Sequence, residues 1–172
     1  LFVSLAGSVA GSAGSDDLYI EKLDSLGSLL WAKVIGGSGN EVMQSVQIDS
    51  SGNLYIVGNF GAAVDLDPGP GVDNYTVSSG TWDGFVLKLD GAGNYVWAKV
   101  TDASASGIAV DNSGNTYYTG SVGGTVDFDP GPGVYTVVGG AQPDIFLSKF
   151  DPTGNFLWVK IMARARNIKP GL

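Results

Sequence analysis

Hydrophobic and polar residues alternate with a period of two along many short segments of this chain. The alternation is clear in the segment DGFVLKLD, whose residues divide between two faces: Phe85, Leu87 and Leu89 on one, and Val86 and Lys88 on the other. Successive side chains of a β-strand point to opposite faces of the sheet, so this period predicts a strand. No stretch of useful length has helical periodicity, and the pattern therefore predicts an all-β fold of many short strands.

One of these alternating segments occurs three times, and the copies superpose without gaps. They share an Asp, an aromatic residue, a Lys, a second Asp, a Gly, a Trp and a second Lys at the same offsets: Asp17–Lys33, Asp83–Lys99 and Asp144–Lys160. Each copy predicts a β-hairpin of two strands around an Asp-x-x-Gly turn. In the second strand of the middle copy, the alternation predicts that Tyr95 shares a face with Trp97.

The same Asp-x-x-Gly turn also lies in two further hairpins, at Val46–Val57 and Ile108–Thr119. An Asp side chain can accept hydrogen bonds from backbone amides ahead of it in a turn. A Gly in the fourth position can adopt the positive φ that closes a type I turn with a bulge. We therefore predict a structural role for these turn residues: Asp24, Gly27, Asp49, Gly52, Asp90, Gly93, Asp111, Gly114, Asp151 and Gly154.

The hairpins combine into a repeat of four strands, named A to D here. Matching residues of successive repeats lie about 61 positions apart, as Lys88 does from Lys149. Four antiparallel strands per repeat at this kind of period are typical of a β-propeller blade. We therefore predict an incomplete β-propeller with these parts: a partial N-terminal blade of strands B to D at 1–35, two full four-stranded antiparallel blades at 36–102 and 103–162, and an aberrant basic tail at 163–172.

Each full blade carries an insertion between strands B and C with the pattern Val-Asp-x-Asp-Pro-Gly-Pro-Gly-Val, at Val64–Val72 and Val126–Val134. Pro lacks an amide donor and Gly permits sharp reversals, so this core ends one strand and turns the chain. We predict a flap of two short strands around a rigid Pro-Gly turn. Lys33, Lys99 and Lys160 lie near the end of strand D, the predicted outer edge, where charge discourages the addition of a further strand.

The composition narrows the classes of function. The 172 residues carry a net charge of −8, and phosphate contacts need a clustered basic face, so we expect no nucleic-acid binding. No apolar run approaches the ~20 residues that span a bilayer, and we expect no membrane insertion. His and Cys are absent, which removes the commonest general base and the commonest ligand of transition metals. We therefore expect no enzymatic activity.

The flaps contain the candidate metal ligands. Asp65 with Asp67, and Asp127 with Asp129, place paired carboxylates on one strand face beside a Gly-rich turn. Carboxylates and turn carbonyls suit Ca²⁺, and Asp73 adds an oxygen in the first flap. The other interpretation is that these side chains cap the Pro-Gly turn and keep an exposed flap soluble. The pattern lacks the third acidic position and the distal Glu of an EF-hand loop.

The four tryptophans divide into two groups. Trp31, Trp97 and Trp158 occupy the same position in every repeat, which favours packing between blades over stacking on sugars in a binding groove. Trp82 stands immediately before strand C, and its counterpart in the next repeat is Pro143. Because Trp82 lies outside the repeat pattern, we predict that it is a surface residue that contacts a ligand.

Four segments carry a resemblance to a known family: AVDNSGNTYYTG, VDFDPGPGVY, DIFLSKFD and GNFLWVK. They resemble bacterial β-propeller repeats of the seven-bladed β-propeller (SBBP) type, and the similarity covers about residues 1–162. The resemblance implies a secreted or cell-surface bacterial protein whose repeats form an extracellular propeller. It supplies no catalytic residues.

These observations favour a non-catalytic extracellular module for binding or scaffolding, within a larger secreted or surface protein, with a protein or glycan ligand. Two alternatives stay open: a fragment of a propeller-type glycan hydrolase or lyase, and a calcium-stabilised adhesin fragment. Propellers close with ~4–8 blades, so two full blades and a partial one form an arc that exposes a blade face. We therefore expect further blades of a longer chain, or self-association.

Overall fold

A computed structural model describes residues 2–7 and 16–162, apart from positions 79, 81 and 141, and it describes residues 2–7 by their backbone alone. The described residues form β-strands and no helix, which confirms the all-β prediction for this part of the chain. They therefore include no helix that is long and apolar enough to cross a membrane. The predicted basic tail at 163–172 lies outside the described residues.

In chain order the strands are β1 (Phe2–Gly7), β2 (Asp17–Leu23), β3 (Leu29–Gly37), β4 (Glu41–Ile48), β5 (Leu54–Phe60), β6 (Val64–Asp65), β7 (Asn74–Tyr75), β8 (Asp83–Leu89), β9 (Tyr95–Thr101), β10 (Ser104–Val110), β11 (Thr116–Val122), β12 (Thr125–Asp127), β13 (Thr136–Val138), β14 (Asp144–Phe150) and β15 (Phe156–Met162). The first sheet contains β1-β2-β3 and is extended by β6-β7. The second sheet is β4-β5-β8-β9 and the third is β10-β11-β14-β15, each antiparallel throughout. The four strands of the second and third sheets correspond to the predicted strands A to D.

The five Asp-x-x-Gly turns share one geometry. Their glycines have φ values between 80° and 85°: Gly27, Gly52, Gly93, Gly114 and Gly154. In each turn the Asp carboxylate accepts hydrogen bonds from the amides two and four residues ahead, as Asp49 does from Ser51 and Asn53 at 2.9 Å. These bonds satisfy amides that the tight turn removes from the strand ladder, so the turn depends on residues that are local in sequence.

A β-bulge corrects one expectation about the faces of β9. The pairing with β8 shifts register so that Lys88 is opposite Trp97 and Leu89 is opposite Tyr95, which leaves Val96 unpaired in the ladder. Tyr95 consequently packs toward the first sheet, whereas Trp97 packs toward the third. The expectation that these two side chains share a face was wrong, because the extra residue inverts the alternation.

The second sheet is buried on both faces. On one face Leu87 belongs to a cluster of buried apolar side chains that includes Ile20 of the first sheet. On the other face Trp97 packs edge-on against Phe150 of the third sheet, with ring centroids 6.4 Å apart. Every residue of β5 is buried as a result. The hydrophobic effect therefore holds the three sheets face to face, with the second sheet in the middle.

The two flaps form antiparallel strand pairs around the Pro-Gly turns, as predicted: β6 with β7 and β12 with β13. The first flap also pairs with the edge of the first sheet, where Gly36 lies opposite Asp65 and Gly37 opposite Val64. The expectation that Lys33 would keep this edge free of a further strand was wrong. The pairing begins beyond the lysine, where two glycines let the backbones approach closely.

Candidate functional site

The cleft around Trp82 lies where the repeats differ from one another. It has a volume of about 320 Å³, and its described lining comes from the second and third sheets: Val42, Gln44, Asn59, Trp82 and Ser104. Trp82 immediately precedes β8 and is 39% exposed. The structure thus brings the predicted contact residue into a concave site, together with side chains that the sequence analysis did not single out.

Asn59 fixes the wall of this cleft at the junction of two sheets. Its amide nitrogen donates to the carbonyl of Ala105 at 2.9 Å, and its amide oxygen accepts from the Ala105 amide at 2.8 Å. The Ser104 hydroxyl donates to the same oxygen at 3.3 Å. Asn59 is buried, so these bonds replace bonds to water and hold β10 against β5. The sequence does mark Asn59 as unusual, because the matching positions of the other two repeats hold Ala6 and Ser121.

Asp83 anchors the segment that carries Trp82 into β8. Its Oδ2 accepts hydrogen bonds from the amide and the hydroxyl of Ser78, both at 2.9 Å. The side chain is fully buried, and this burial raises the pKa of its carboxyl because the charged form loses hydration. The Ser78 hydroxyl also contacts the carboxylate of Asp102. Trp82 therefore projects from a segment that is tied to the body of the fold.

The chemistry of the Trp82 cleft suits binding more than catalysis. Trp82 and Val42 supply apolar surface, while Gln44 and Ser104 supply hydrogen-bonding groups. Sites with this combination bind an apolar or aromatic group and orient it by a few hydrogen bonds. The described lining residues include no carboxylate, Lys or Arg, so they offer no pair of groups for general acid and base catalysis.

A second cleft, of about 310 Å³, lies between the turns of the second and third sheets and contains Asp49, Asp111, Lys88 and Tyr55 in its lining. Burial, together with the charge of Asp49, raises the pKa of Tyr55 to about 12. The protonated hydroxyl donates to Asp49 Oδ2 at 3.2 Å. The Lys88 ammonium lies 4.9 Å from the centre of the Tyr55 ring. Asp49, Tyr55 and Lys88 all belong to the second sheet and contact one another there, and Lys88 also donates to the Pro152 carbonyl of the third sheet at 3.2 Å.

The flap carboxylates act as acceptors within their own turns. Asp65 Oδ1 accepts from the amides of Asp67 and Asp73 at 3.0 and 2.9 Å, and Asp67 Oδ1 accepts from the amide two residues ahead at 2.7 Å. Asp127 and Asp129 make the corresponding bonds in the second flap. Within the described ranges no group of three or more Asp, Glu, His or Cys side chains is arranged to hold a metal ion. Calcium binding by the flaps stays a prediction.

Substitution of Asp65 separates the two interpretations of the flap. Asp65→Ala is expected to lower the free energy of unfolding by about 1–2 kcal/mol, because it removes the acceptor of two amide hydrogen bonds. Asp65→Asn keeps an acceptor oxygen and is expected to retain most of that stability. Urea unfolding with and without Ca²⁺ measures both effects. A stabilisation by Ca²⁺ that disappears in both variants would contradict a role limited to capping the turn.

Trp31 and Trp97 join neighbouring sheets through a repeated contact, which we name the Lys–Trp clasp. In each clasp a Lys of strand C and a Trp of strand D donate to one carbonyl in a turn of the next sheet. The distances are as follows: Lys22 Nζ and Trp31 Nε1 to the Gly91 oxygen, 2.6 and 3.4 Å; Lys88 Nζ and Trp97 Nε1 to the Pro152 oxygen, 3.2 and 3.3 Å. Trp158 occupies the matching position on the outer face of the third sheet.

Two buried carboxyl groups face each other between the first and second sheets. Glu41 is fully buried and Asp17 nearly so. Neither carboxyl oxygen of Glu41, nor Oδ1 of Asp17, makes a well-aligned hydrogen bond to a described residue, and the nearby backbone of Gly37 offsets the burial of Glu41 only in part. Burial, reinforced by the charge of Asp17, raises the pKa of Glu41 to about 8. The sequence analysis missed this pair, because the two residues meet only when the sheets stack.

Comparison with known proteins agrees with a repeat architecture. No family model matches the chain. The chain is 28% identical to an uncharacterized WD repeat-containing protein of Acanthamoeba polyphaga mimivirus, over 91% of this chain and 12% of that protein. It is 27% identical to the regulatory protein FlaEY of Caulobacter vibrioides, over 83% of this chain and 16% of that protein. The first likeness suggests a β-propeller-type repeat, and the seven-bladed family stays a resemblance. The chain spans less than a fifth of either relative.

Proposed function

We propose that this chain is a non-catalytic β-propeller-type module that binds and scaffolds a protein partner through the Trp82 cleft. The observation that carries the proposal is the exposed Trp82 in a concave, largely apolar site that interrupts the repeat pattern. Exposed Trp residues in pockets are frequent anchors of protein interfaces. An apolar side chain of the partner enters the cleft, and Gln44 and Ser104 bond to its backbone.

The repeated polar side chains support a non-catalytic role, because their bonding groups are used within the fold. The turn aspartates accept bonds from their own turns, and the lysines Lys22 and Lys88 donate to backbone carbonyls of the next sheet. A glycosidase needs two carboxyl groups at a separation set by the reaction, placed beside a substrate groove. The described lining of the Trp82 cleft has none.

The wider setting of the module is also part of the proposal. The likeness to a WD repeat-containing protein supports a repeat-type module, and repeat architectures offer extended concave surfaces for binding a partner. The resemblance to seven-bladed β-propeller repeats supports a secreted or cell-surface location. The likeness to relatives several times longer than this chain supports a place within a larger protein.

A binding screen with a tryptophan substitution tests this function. The wild-type chain is screened against a displayed peptide library and a glycan array, and the ligands found are measured by calorimetry. Peptides with an apolar anchor residue are expected to bind, and Trp82→Ala is expected to raise their dissociation constants at least about tenfold, a loss of about 1.4 kcal/mol. Tyr135→Ala is the matched control, because Tyr135 is 45% exposed on a flap away from the cleft.

Three outcomes would contradict the proposal. Binding of glycans alone would replace the protein partner with a sugar that stacks on Trp82. Peptide binding that is equal in wild type and Trp82→Ala would show that the interaction uses another surface. Hydrolysis or elimination in a panel of polysaccharides would establish an enzyme, which is the alternative expected from the paired carboxylates.

A further inference from the structure

A further cleft, of about 280 Å³, borders the segments that form the Trp82 cleft, and we name it the Asp83 cleft. Its described lining includes Ser78, Asp83 at the start of β8, and Asp102 between β9 and β10. Trp82 and Asp83 are consecutive in the chain, and Ser104 of the Trp82 cleft follows Asp102 by two positions. The two clefts therefore use the same two segments of the fold.

The carboxylate oxygens of the Asp83 cleft are short of hydrogen-bond donors. Asp83 has no exposed surface, and its Oδ1 makes no hydrogen bond to a described residue. Its Oδ2 accepts from the amide and the hydroxyl of Ser78. The same hydroxyl contacts Oδ1 of Asp102, but a hydroxyl has a single proton and can donate to only one of the two carboxylates at a time. A ligand that brings N–H or O–H donors would fill this deficit.

The second carboxylate of this cleft interrupts the repeat pattern. The position of the first sheet that matches Asp102 holds Gly36. A Cβ added to Gly36 would lie 2.3 Å from Cγ of Asp17, which is the counterpart of Asp83. The Asp17 carboxyl thus lies directly against backbone, at the position where the second sheet carries the Asp102 side chain. Asp102 therefore serves this cleft and not the architecture that the repeats share.

The charge of the cleft favours a cationic ligand. Its described lining contains two carboxylates and one ammonium, that of Lys99, whose Cε lies 2.9 Å from the position of a Cβ on Gly154. Burial raises the pKa of Asp83, and the charge of Asp102 adds to this effect. A positive charge beside Asp83 would favour its ionised form. The net charge of −8 on the chain also attracts a basic partner.

The acceptors suit a primary ammonium group better than a guanidinium or a metal ion. An ammonium carries three donors on a compact head, whereas the planar guanidinium carries five, for which this cleft offers fewer acceptors. In the described part of the chain no three acidic side chains are grouped to hold a metal ion. Val100 and Pro130 belong to the same lining and offer apolar surface to the stem of a lysine side chain.

We propose that the Asp83 cleft binds a lysine ammonium of the protein partner whose apolar residue occupies the Trp82 cleft. The ammonium donates to Asp83 Oδ1 and to the Asp102 carboxylate, which leaves the proton of the Ser78 hydroxyl for the other oxygen of Asp83. The identity of the partner rests on the proposed function, whereas the ammonium site rests on the donor deficit of the cleft. The partner segment therefore carries a lysine close to its apolar anchor.

A small ammonium probe tests the cleft without the partner. NMR of the full chain follows the Ser78 amide and the Asp83 carboxyl carbon during titration with n-butylammonium chloride. Both signals are expected to shift in a saturable way. Tetramethylammonium chloride has the same charge and no N–H donor, so it is expected to leave both signals unchanged.

Carboxylate variants locate the binding of the probe. Asp102→Asn is expected to weaken butylammonium binding at least about tenfold. Asp102 is chosen over the buried Asp83 because it is half-buried, and thermal unfolding establishes that each variant is folded. Asp67→Asn is the matched control, since it removes the same charge from a half-buried carboxylate outside the described lining. It is expected to bind the probe as the wild type does.

Peptides selected by the screen for the Trp82 cleft extend the test to the partner. Each lysine of these peptides is replaced in turn by norleucine, which keeps the stem and removes the charge. One replacement is expected to raise the dissociation constant for the wild-type chain at least about tenfold. The same replacement is expected to have little effect on binding to Asp102→Asn, because the contact is already lost there.

The outcomes separate this proposal from the proposed function. A lack of butylammonium shifts, equal shifts with tetramethylammonium, or equal probe binding by Asp102→Asn would each overturn the ammonium site. Saturable shifts at a lower concentration of CaCl₂ than of butylammonium would replace it with a metal site. Peptides that need Trp82 but tolerate every lysine replacement would overturn it and leave the proposed function intact. Probe binding that persists in Trp82→Ala supports the ammonium site even where no peptide binds.

Discussion

Alanine at position 154 is expected to destabilise the chain much more than alanine at position 27, although both glycines occupy the same turn. Their φ values are 83° and 85°, so the left-handed backbone penalises alanine equally, by about 1 kcal/mol or more. At Gly154 the new Cβ also meets the indole of Trp97 at 2.9 Å, whereas at Gly27 it meets no described atom within 4 Å. Overpacking of this kind adds about 1–3 kcal/mol.

Gly93→Ala completes a graded series, since its Cβ would lie 3.1 Å from the indole of Trp31. The expected order of destabilisation is Gly154, then Gly93, then Gly27. Urea unfolding with a common m-value measures the series. Equal losses at the three positions would contradict this expectation, because they would mean that the backbone strain acts alone and that the added Cβ meets no resistance from the indoles.

Stability is expected to fall as the pH rises from about 4.5 to about 8, because of Glu41. Its pKa is raised from 4.5 to about 8 in the folded chain by burial and by the charge of Asp17. In this window the unfolded chain has lost the Glu41 proton while the folded chain still holds it, so each increment of pH favours unfolding. One pKa unit is worth about 1.4 kcal/mol, and the total loss is therefore a few kcal/mol.

At acid pH the turn aspartates have the opposite effect, and stability is expected to fall as the pH decreases. Hydrogen bonds from the Ser28 and Leu26 amides lower the pKa of Asp24, and those from Asn94 lower the pKa of Asp90. A lowered folded pKa contributes stability that is present above the ordinary Asp value of 3.8 and is lost as the pH falls through the folded pKa. The stability maximum is therefore expected near pH 4–5, between the two windows.

Glu41→Gln tests the alkaline side of this profile. The amide has no charge to bury, so the variant is expected to match the wild type near pH 4.5 and to exceed its stability by a few kcal/mol near pH 8. Thermal unfolding across this range measures the difference. Glu21→Gln is the control, because Glu21 is a partly exposed carboxylate on the same sheet as Asp17. A wild-type profile that is flat from pH 4.5 to 8 would contradict the buried-acid account.

The local elements of the fold could be predicted from the sequence. The alternation predicted the strands, and the Asp-x-x-Gly pattern predicted turns whose glycines have φ near 80°, because both depend on neighbouring residues. The Pro-Gly segment predicted a pair of short strands for the same reason. The bulge at Val96 was not predicted, since a single unpaired residue leaves little mark on a period of two.

Contacts between repeats could not be predicted from the sequence in the same way. The first flap pairs with Gly36 and Gly37 because the stacking of two sheets brings them together, and no local pattern marks that edge. The repeated geometry of the Lys–Trp clasp likewise joins Lys22 to a carbonyl 69 positions away. At the candidate site, Trp82 was predicted from its contrast with Pro143. Asn59 was missed, because its partner on β10 is known only from the fold.

The pairing of β6 with β3 means that the sequence period and the structural module are out of phase. Val64 and Asp65 belong to one repeat by sequence and complete the edge of the preceding sheet by hydrogen bonding. A cut between positions 35 and 36 would therefore divide β3 and separate the residues of β3 that pair with the first flap from the rest of their sheet. The first flap therefore keeps the edge that receives it only when the chain from β3 to β7 is exchanged as one piece, although that piece crosses the boundary between two sequence repeats.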